Sequence, residues 1–274
     1  MTVSADPKEL LELATRLAAE AGRILVEERP RDLGVASTKS SPTDIVTVMD
    51  QRTEKLIVES ILAARPDDGI LGEEGANHEG TSGVRWVIDP IDGTVNYLYE
   101  IPAWCVSIGV EINGETVAGV VEIPALGETF TALRGHGAWR NGEPVRAYSA
   151  QSEGKPVPLE RALVATGFGY AAQRRAVQGR IVADLLPRVR DIRRAGSAAI
   201  DLCSVACGRV DGYFERGTNP WDIAAGALIV EEAGGKVGGL RGAAASVAMT
   251  VAAAPGLFEA LCEFLEEHAA DQDS

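Results

Sequence analysis

The residues best placed to do chemistry are carboxylates sitting at turns. In Trp86-Val87-Ile88-Asp89-Pro90-Ile91-Asp92-Gly93-Thr94 an apolar stretch leads into two acids three positions apart. Pro90 cannot donate to a strand ladder, so the strand is expected to end at Asp89, and Asp92-Gly93 turns the chain. Two acids in so tight a turn repel each other unless a cation lies between them. A hard divalent ion such as Mg²⁺ takes carboxylate, carbonyl and water oxygens, all of which the turn can supply. Gly93-Thr94 would open the next segment, and if that is a helix, its exposed N–H groups and dipole would suit a phosphate. Alone, this motif reads equally well as an ordinary strand end followed by a turn.

Three other segments place acids comparably. Gly72-Glu73-Glu74-Gly75 follows the apolar Ile70-Leu71 and puts two acids at a strand end. Trp221-Asp222-Ile223-Ala224-Ala225-Gly226 puts an acid at the start of a helix of small and apolar residues, where the dipole favours it. Asp44 and Asp50 flank Ile45-Val46-Thr47-Val48, and Asp50 could equally be a helix cap. Each has a bland reading; the combination points to an all-oxygen site for more than one metal ion. Softer ligands give no competing pattern. His78, His136 and His268 are scattered, and Cys105, Cys203, Cys207 and Cys262 form no CxxC framework. Buried, reduced thiols are expected.

Composition bounds the partners. The 274 residues carry a net charge of −14, with 46% hydrophobic and 24% charged residues. Such a chain is globular, and a pI near 4.7 argues against nucleic acid and against anionic membranes. No apolar run is long enough to span a bilayer, and the opening MTVSADPKELLELA lacks the pattern of a signal peptide. A cytoplasmic protein is expected. If its substrate is a phosphate ester, bound cations must overcome the negative charge locally.

The elements that must position these acids can be read from periodicity. Asp6 caps a helix, with Pro7 in its first turn and Glu9 completing a capping-box pattern. Leu10, Leu13, Leu17, Ala21 and Ile24 form its apolar face, and Arg29-Pro30 ends it. A second helix should hold Asp50 and run through Ile57 and Ile61 to Ala64. Strands are expected at 69–72 and 84–89, then antiparallel sheet over 105–139, with a hairpin turn at Asn113-Gly114 and another turn at Asn141-Gly142. The polar segment 149–158 reads as a boundary between an N-terminal α+β lobe, 1–148, and a C-terminal α/β lobe, 159–274, within one structural unit. The second lobe should alternate strands at 163–165, 210–214 and 247–252 with helices at 173–186, 197–207, 221–233 and 256–267; 238–245 reads as a loop. That order suggests stacked layers of helix and sheet rather than one doubly wound domain.

The segments closely resemble the inositol monophosphatase family of Mg²⁺-dependent, lithium-sensitive phosphatases. Asp44-Ile45-Val46-Thr47 with Asp50 is similar to its DxVTxxD motif, Gly72-Glu73-Glu74 to its GEE, and Trp86 to Asn96 to its WVIDPIDGTxN. Residues 217–235, with the WDIAAG core, resemble its C-terminal signature, so the likeness spans nearly the whole chain. It implies an α/β fold layered αβαβα, the five-layer sandwich of the sugar-phosphatase type, and a homodimer. It also implies two or three Mg²⁺ ions per site. Glu73, Asp89 and the carbonyl of Ile91 would hold the first, where the attacking water is activated. Asp89, Asp92 and Asp222 would hold the second, and Glu73 would help bind a third through water. Asp50 and Thr94 would orient and deprotonate the water, and the N–H groups of Gly93 and Thr94 would hold the phosphate.

By the same resemblance, Gly196, Ser197, Ala198 and Glu215 lie beside the alcohol, with Asp92 and Asp222 contributing hydroxyl contacts. Lys39 matches a lysine of the mobile metal-site loop. Thr218-Asn219-Pro220 departs from the family, since animal members commonly carry a His-Cys pair there, in a loop that the resemblance places near the substrate. The function implied is hydrolysis of myo-inositol 1-phosphate by an activated water, without a covalent intermediate. Histidinol phosphate is the nearest rival substrate, and fructose 1,6-bisphosphate and 3′-phosphoadenosine phosphates are further ones. A non-catalytic binding protein on the same fold would be expected to have lost some of these acids.

Overall fold

A computed structural model describes residues 5–148 and 155–272. Of the boundary segment 149–158, residues 149–154 lie outside the described residues. The helices are α1 (Pro7–Glu27), α2 (Val48–Ala64), the one-turn α3 (Thr94–Leu98), α4 (Ala172–Leu185), α5 (Ala198–Ala206), α6 (Pro220–Glu232) and α7 (Leu257–Glu267). They sandwich an eight-stranded and a five-stranded sheet.

Three apolar cores define five layers. Leu10, Leu17 and Ile24 of α1 and Ile57 and Ile61 of α2 pack with Trp86, Ile88, Val106, Ile108 and Val120 on one face of the larger sheet. The opposite face, with Cys105, Val121 and Phe130, meets Leu202 and Cys203 of α5 and Leu228 and Ile229 of α6. The smaller sheet closes that core with Tyr213 and Ala252. Its far face, with Val164, Phe214, Val251 and Ala253, is covered by Val177, Ile181 and Leu185 of α4 and Leu257, Leu261 and Phe264 of α7. Val120 and Val121 belong to different cores because successive strand residues face opposite ways. With both faces covered, the central strands are nearly continuous apolar runs. The order is αβαβα, as expected.

In the larger sheet Gly69–Gly72 pairs parallel with Val84–Asp92, which pairs antiparallel with Cys105–Ile112. Antiparallel pairing continues through Glu115–Ile123 and Glu128–Leu133 to Gly137–Arg140. The Asn113-Gly114 turn has φ values of 52° and 85°, which Asn and Gly tolerate and which match the twist of the strands it joins. In the smaller sheet Leu163–Thr166 pairs parallel with Asp191–Arg193 and Gly212–Glu215, while Thr250–Ala253 runs antiparallel to Gly212–Glu215 and Lys236–Gly238.

Several expected boundaries move. The strand expected to stop at Asp89 continues through Pro90 to Asp92, and its pairing register shifts between those two acids. The shift is a bulge, which accommodates a residue without an N–H. The strand expected over 247–252 is Thr250–Ala253, because Ser246 bridges to Met249 and turns Val247 out to solvent. Asp191–Arg193 and Lys236–Gly238 are edge strands of three residues, too short for alternation to reveal.

α6 lies unusually close to the larger sheet. A β-carbon at Gly109 would come within 2.7 Å of Ala224 Cβ, and one at Gly119 within 3.0 Å of Ala225 Cα. Bare positions on two adjacent strands thus receive the small residues of WDIAAG, and α6, apolar on nearly every side, is buried between the sheets.

Candidate active site

The acids converge where strand ends of the larger sheet meet helix starts. Gly72 pairs with Ile88 and the Glu73 N–H donates to the Ile88 carbonyl at 3.1 Å, which sets Glu73 beside Asp89. In a regular strand, residues three apart face opposite ways; the bulge inserts an extra residue and lets Asp89 and Asp92 face the same pocket. Asp89 pairs with Ser107, whose hydroxyl donates to the Trp221 carbonyl at 3.3 Å. That bond ties the start of α6, and with it Asp222, to the Asp89 position. The Asn219 N–H donates to Asp222 Oδ2 at 2.6 Å, so the acid also caps its own helix.

Asp50 occupies the third position of α2, where the Thr47 N–H donates to its Oδ2 at 2.8 Å. Its Oδ1 lies 3.0 Å from Thr94 Oγ1, which is also 3.0 Å from the Ile91 carbonyl oxygen. A side chain 44 residues away thereby joins the Asp92-Gly93-Thr94 turn. Gly93 adopts φ 95°, and α3 begins at Thr94, so the first N–H groups of that turn have no partners within the helix.

The electrostatics are those of crowded anions. Burial raises the proton affinity of Asp89 well above the carboxylate range, and the charges of Glu73, Asp92 and Asp222 raise it further. Asp222 is raised likewise by burial, then by Asp92 and Glu73. Burial raises Asp92 too, against bonds from Ser197 Oγ and the Ala199 N–H, each 2.7 Å from Oδ2. Asp50 is pushed up to about 6 by burial, moderated by Thr47 and Thr94. Lys39 Nζ lies 2.8 Å from Glu73 and 2.6 Å from Glu74. Burial disfavours its charge, but the two carboxylates outweigh that and raise its pKa.

This donor set suits hard cations. Glu73 Oε2 is buried and has no hydrogen-bond partner among the described residues. Four carboxylates act on one another there, with Lys39 in contact with Glu73 and the Arg194 charge acting on Asp92, and oxygen donors of this kind select Mg²⁺-like ions. The acids are gathered without yet forming a cage: no group of three His, Cys, Asp or Glu side chains among the described residues is arranged to hold an ion. Each acid has its own local donor: Lys39 holds Glu73, Ser197 and Ala199 hold Asp92, and Asn219 holds Asp222.

Of the residues expected on the alcohol side, Ser197 bonds Asp92 directly and Glu215 lies within reach of its charge. Ser197 caps α5, accepting from the Ile200 N–H, and donates to Asp92. Gly196 takes φ 97°. Asn96 Nδ2 reaches the carbonyls of Ala103 at 2.6 Å and Ala195 at 2.9 Å, fastening α3, which follows the Asp92-Gly93-Thr94 turn, to this loop. Glu215 ends its strand, where burial raises its pKa to about 7 and the Tyr213 hydroxyl donates to Oε2 at 2.9 Å. Thr218-Asn219-Pro220 forms the entry to α6.

Sequence reasoning missed Glu54 and Ser107 and gave Asn96 no role. Glu54, 5% exposed, accepts from the N–H groups of Glu74 at 2.8 Å and Ala76 at 3.0 Å and so shapes the Glu73 turn. Glu54 stands one helical turn after Asp50 on the same face of α2, but only the fold shows that both are buried.

The chain is similar to known proteins over nearly its whole length. A family model described as the inositol monophosphatase family matches residues 6–270. The inositol-1-monophosphatase SuhB of Mycobacterium tuberculosis is 43% identical over 280 residues, 95% of this chain and 94% of its own. The Nus factor SuhB of Escherichia coli is 41% identical over 235 residues, covering 85% and 86%. The solved M. tuberculosis SuhB superposes with a TM-score of 0.79 at 41% identity, covering 97% of this chain and 99% of that one.

Proposed function

The chain belongs to the inositol monophosphatase family, a family of generally metal-dependent phosphatases, and on that premise we propose that it hydrolyses myo-inositol 1-phosphate to myo-inositol and phosphate with Mg²⁺. One observation supports the reading: Glu73, Asp89, Asp92 and Asp222, up to 149 residues apart in sequence, are buried near enough for their charges to act on one another, and Asp50 is bonded to Thr94 of the Asp92-Gly93-Thr94 turn.

Glu73, Asp89 and the Ile91 carbonyl would hold one ion and Asp89, Asp92 and Asp222 a second, with Glu73 serving a third through water. Such ions neutralise phosphoryl oxygens and lower the pKa of the attacking water. The chain's own residues do the rest. Thr94 has one hydroxyl proton; donated to Asp50, it leaves a lone pair that accepts from water. A water proton can then pass to Thr94 as the Thr94 proton passes to Asp50. The N–H groups of Gly93 and Thr94 receive the phosphate, while Ser197, Gly196, Ala198 and Glu215 line the side of the alcohol. Attack by water in one step also agrees with Cys105, whose thiol lies beside Asp92. Burial and the Asp92 charge push its pKa well up, so it is held as an unreactive thiol.

The test is turnover on myo-inositol 1-phosphate and histidinol phosphate in Mg²⁺. The inositol ester should be preferred; a preference of more than about tenfold for histidinol phosphate overturns the substrate. No turnover of either ester would favour a non-catalytic role, which the Nus factor relative makes worth testing. Asp92→Asn should abolish most Mg²⁺-dependent turnover, and full activity in that variant would overturn the metal site. Inhibition by lithium, a homodimer on sizing and a cytoplasmic location belong to the same reading.

A further inference from the structure

Gly167 follows the strand Leu163–Thr166, and its φ is not in the left-handed region, so the backbone there does not require glycine. Its neighbour does. A β-carbon at Gly167 would overlap the carboxyl carbon and both oxygens of Glu215. The acid's head group therefore occupies the space that any other residue would fill with its side chain.

Both partners are held in place. The Tyr213 hydroxyl donates to Glu215 Oε2 at 2.9 Å. The Gly167 carbonyl accepts from Gln178 Nε2 and from Thr166 Oγ1, each at 3.5 Å, and Gln178 Oε1 accepts from the Gly169 N–H at 3.0 Å. Gln178 is buried on α4, so the outer helical layer clamps the loop that seats Glu215.

We propose that Gly167 is a positioning residue for specificity: its bare backbone is the seat that aims the Glu215 carboxylate at the alcohol of the substrate. This rests on the reading that Glu215 accepts hydrogen bonds from a hydroxyl-rich alcohol. What a methyl group at 167 would displace is the far end of a flexible side chain rather than backbone, so the fold can absorb it. A misplaced acceptor loses its bonds to the alcohol while leaving the phosphate and the water where they are.

The experiment compares Gly167→Ala with wild type on myo-inositol 1-phosphate and on 4-nitrophenyl phosphate, whose alcohol offers no further hydroxyl. For the inositol ester kcat/KM should fall roughly tenfold or more, mainly through KM, with the nitrophenyl ester changed less than about twofold. In a Glu215→Gln background the same alanine should add less than about twofold further loss on the inositol ester, since both changes remove one interaction. Equal losses on both esters would make Gly167 merely structural and overturn the proposal, as would no loss on either. If wild type shows no preference for the inositol ester, the functional reading fails first. A crystal structure of Gly167→Ala then decides the seat by itself: a carboxylate shifted by roughly an ångström or more upholds it, and an unmoved one overturns it.

Discussion

Under the proposed function, Asp50 serves the fold and the chemistry through different atoms. Oδ2 caps α2 at the Thr47 N–H, and Oδ1 faces Thr94. Burial raises its pKa to about 6, near enough to neutrality for a general base. The base works only when ionised, so activity should fall as pH drops through that value, and cations bound nearby would move the limb lower. A kcat/KM profile in saturating Mg²⁺ should show an acid limb at or below about 6. Asn in place of Asp50 keeps an acceptor for Thr47 but cannot take a proton. Asp50→Asn should therefore lose roughly a hundredfold in kcat and lose that limb, whereas an unchanged profile would remove Asp50 from the proton path. The single acids were legible in the sequence because Glu73 and Asp92 adjoin turn glycines and Asp50 and Asp222 fall in the first turns of helices. Glu54 and Ser107 were not, because each acts through a backbone group, the Glu74 N–H or the Trp221 carbonyl, whose position only the fold supplies.

Among the elements, α6 and the strand Val84–Asp92 bring the acids together. Periodicity located both, but two features escaped it. Pro90 suggests a strand end, and only pairing with Cys105–Ile112 shows a bulge that turns Asp89 and Asp92 towards one pocket. Gly109 and Gly119 read as weak points in strands until α6 is seen lying on them. They set the depth of α6, and hence the reach of Asp222. Gly119→Val would force the helix off the sheet at a cost of about 1–3 kcal/mol, the usual penalty of overpacking a core. The thermal midpoint should drop, and the Mg²⁺ concentration for half activation should rise several-fold as Asp222 withdraws. A variant with lowered stability but an unaltered Mg²⁺ requirement would show that Asp222 is placed by Ser107 and Asn219 alone. The boundary at 149–158 rests on polarity and proline; α6, packed between both sheets, shares an apolar core with residues on either side of that boundary.

For the whole molecule, the question is how a chain of net charge −14 keeps so many acids buried in one pocket. The three apolar cores supply the cohesion, and the pocket at the sheet ends works against it. Burial disfavours the charges of Glu73, Asp89, Asp92 and Asp222; Lys39 pairs with Glu73 and the Arg194 charge eases Asp92, while neighbouring acids raise Asp89 and Asp222 further. Buried anions without counter-charge destabilise the folded state, and an ion that binds only the folded form stabilises it by mass action. Removing divalent ions with a chelator should therefore lower the thermal midpoint. At about a hundred times its dissociation constant, restored Mg²⁺ should contribute about 2.7 kcal/mol, or several degrees for a chain of this length. Monovalent salt of equal ionic strength should recover much less, because a buried pocket is poorly screened and a diffuse atmosphere cannot bridge carboxylates. Asp92→Asn separates this effect from general screening. With one repelling charge gone, the chelated variant should melt above the chelated wild type and gain less from Mg²⁺. Equal gains in both proteins would place the stabilising ion outside the acid pocket.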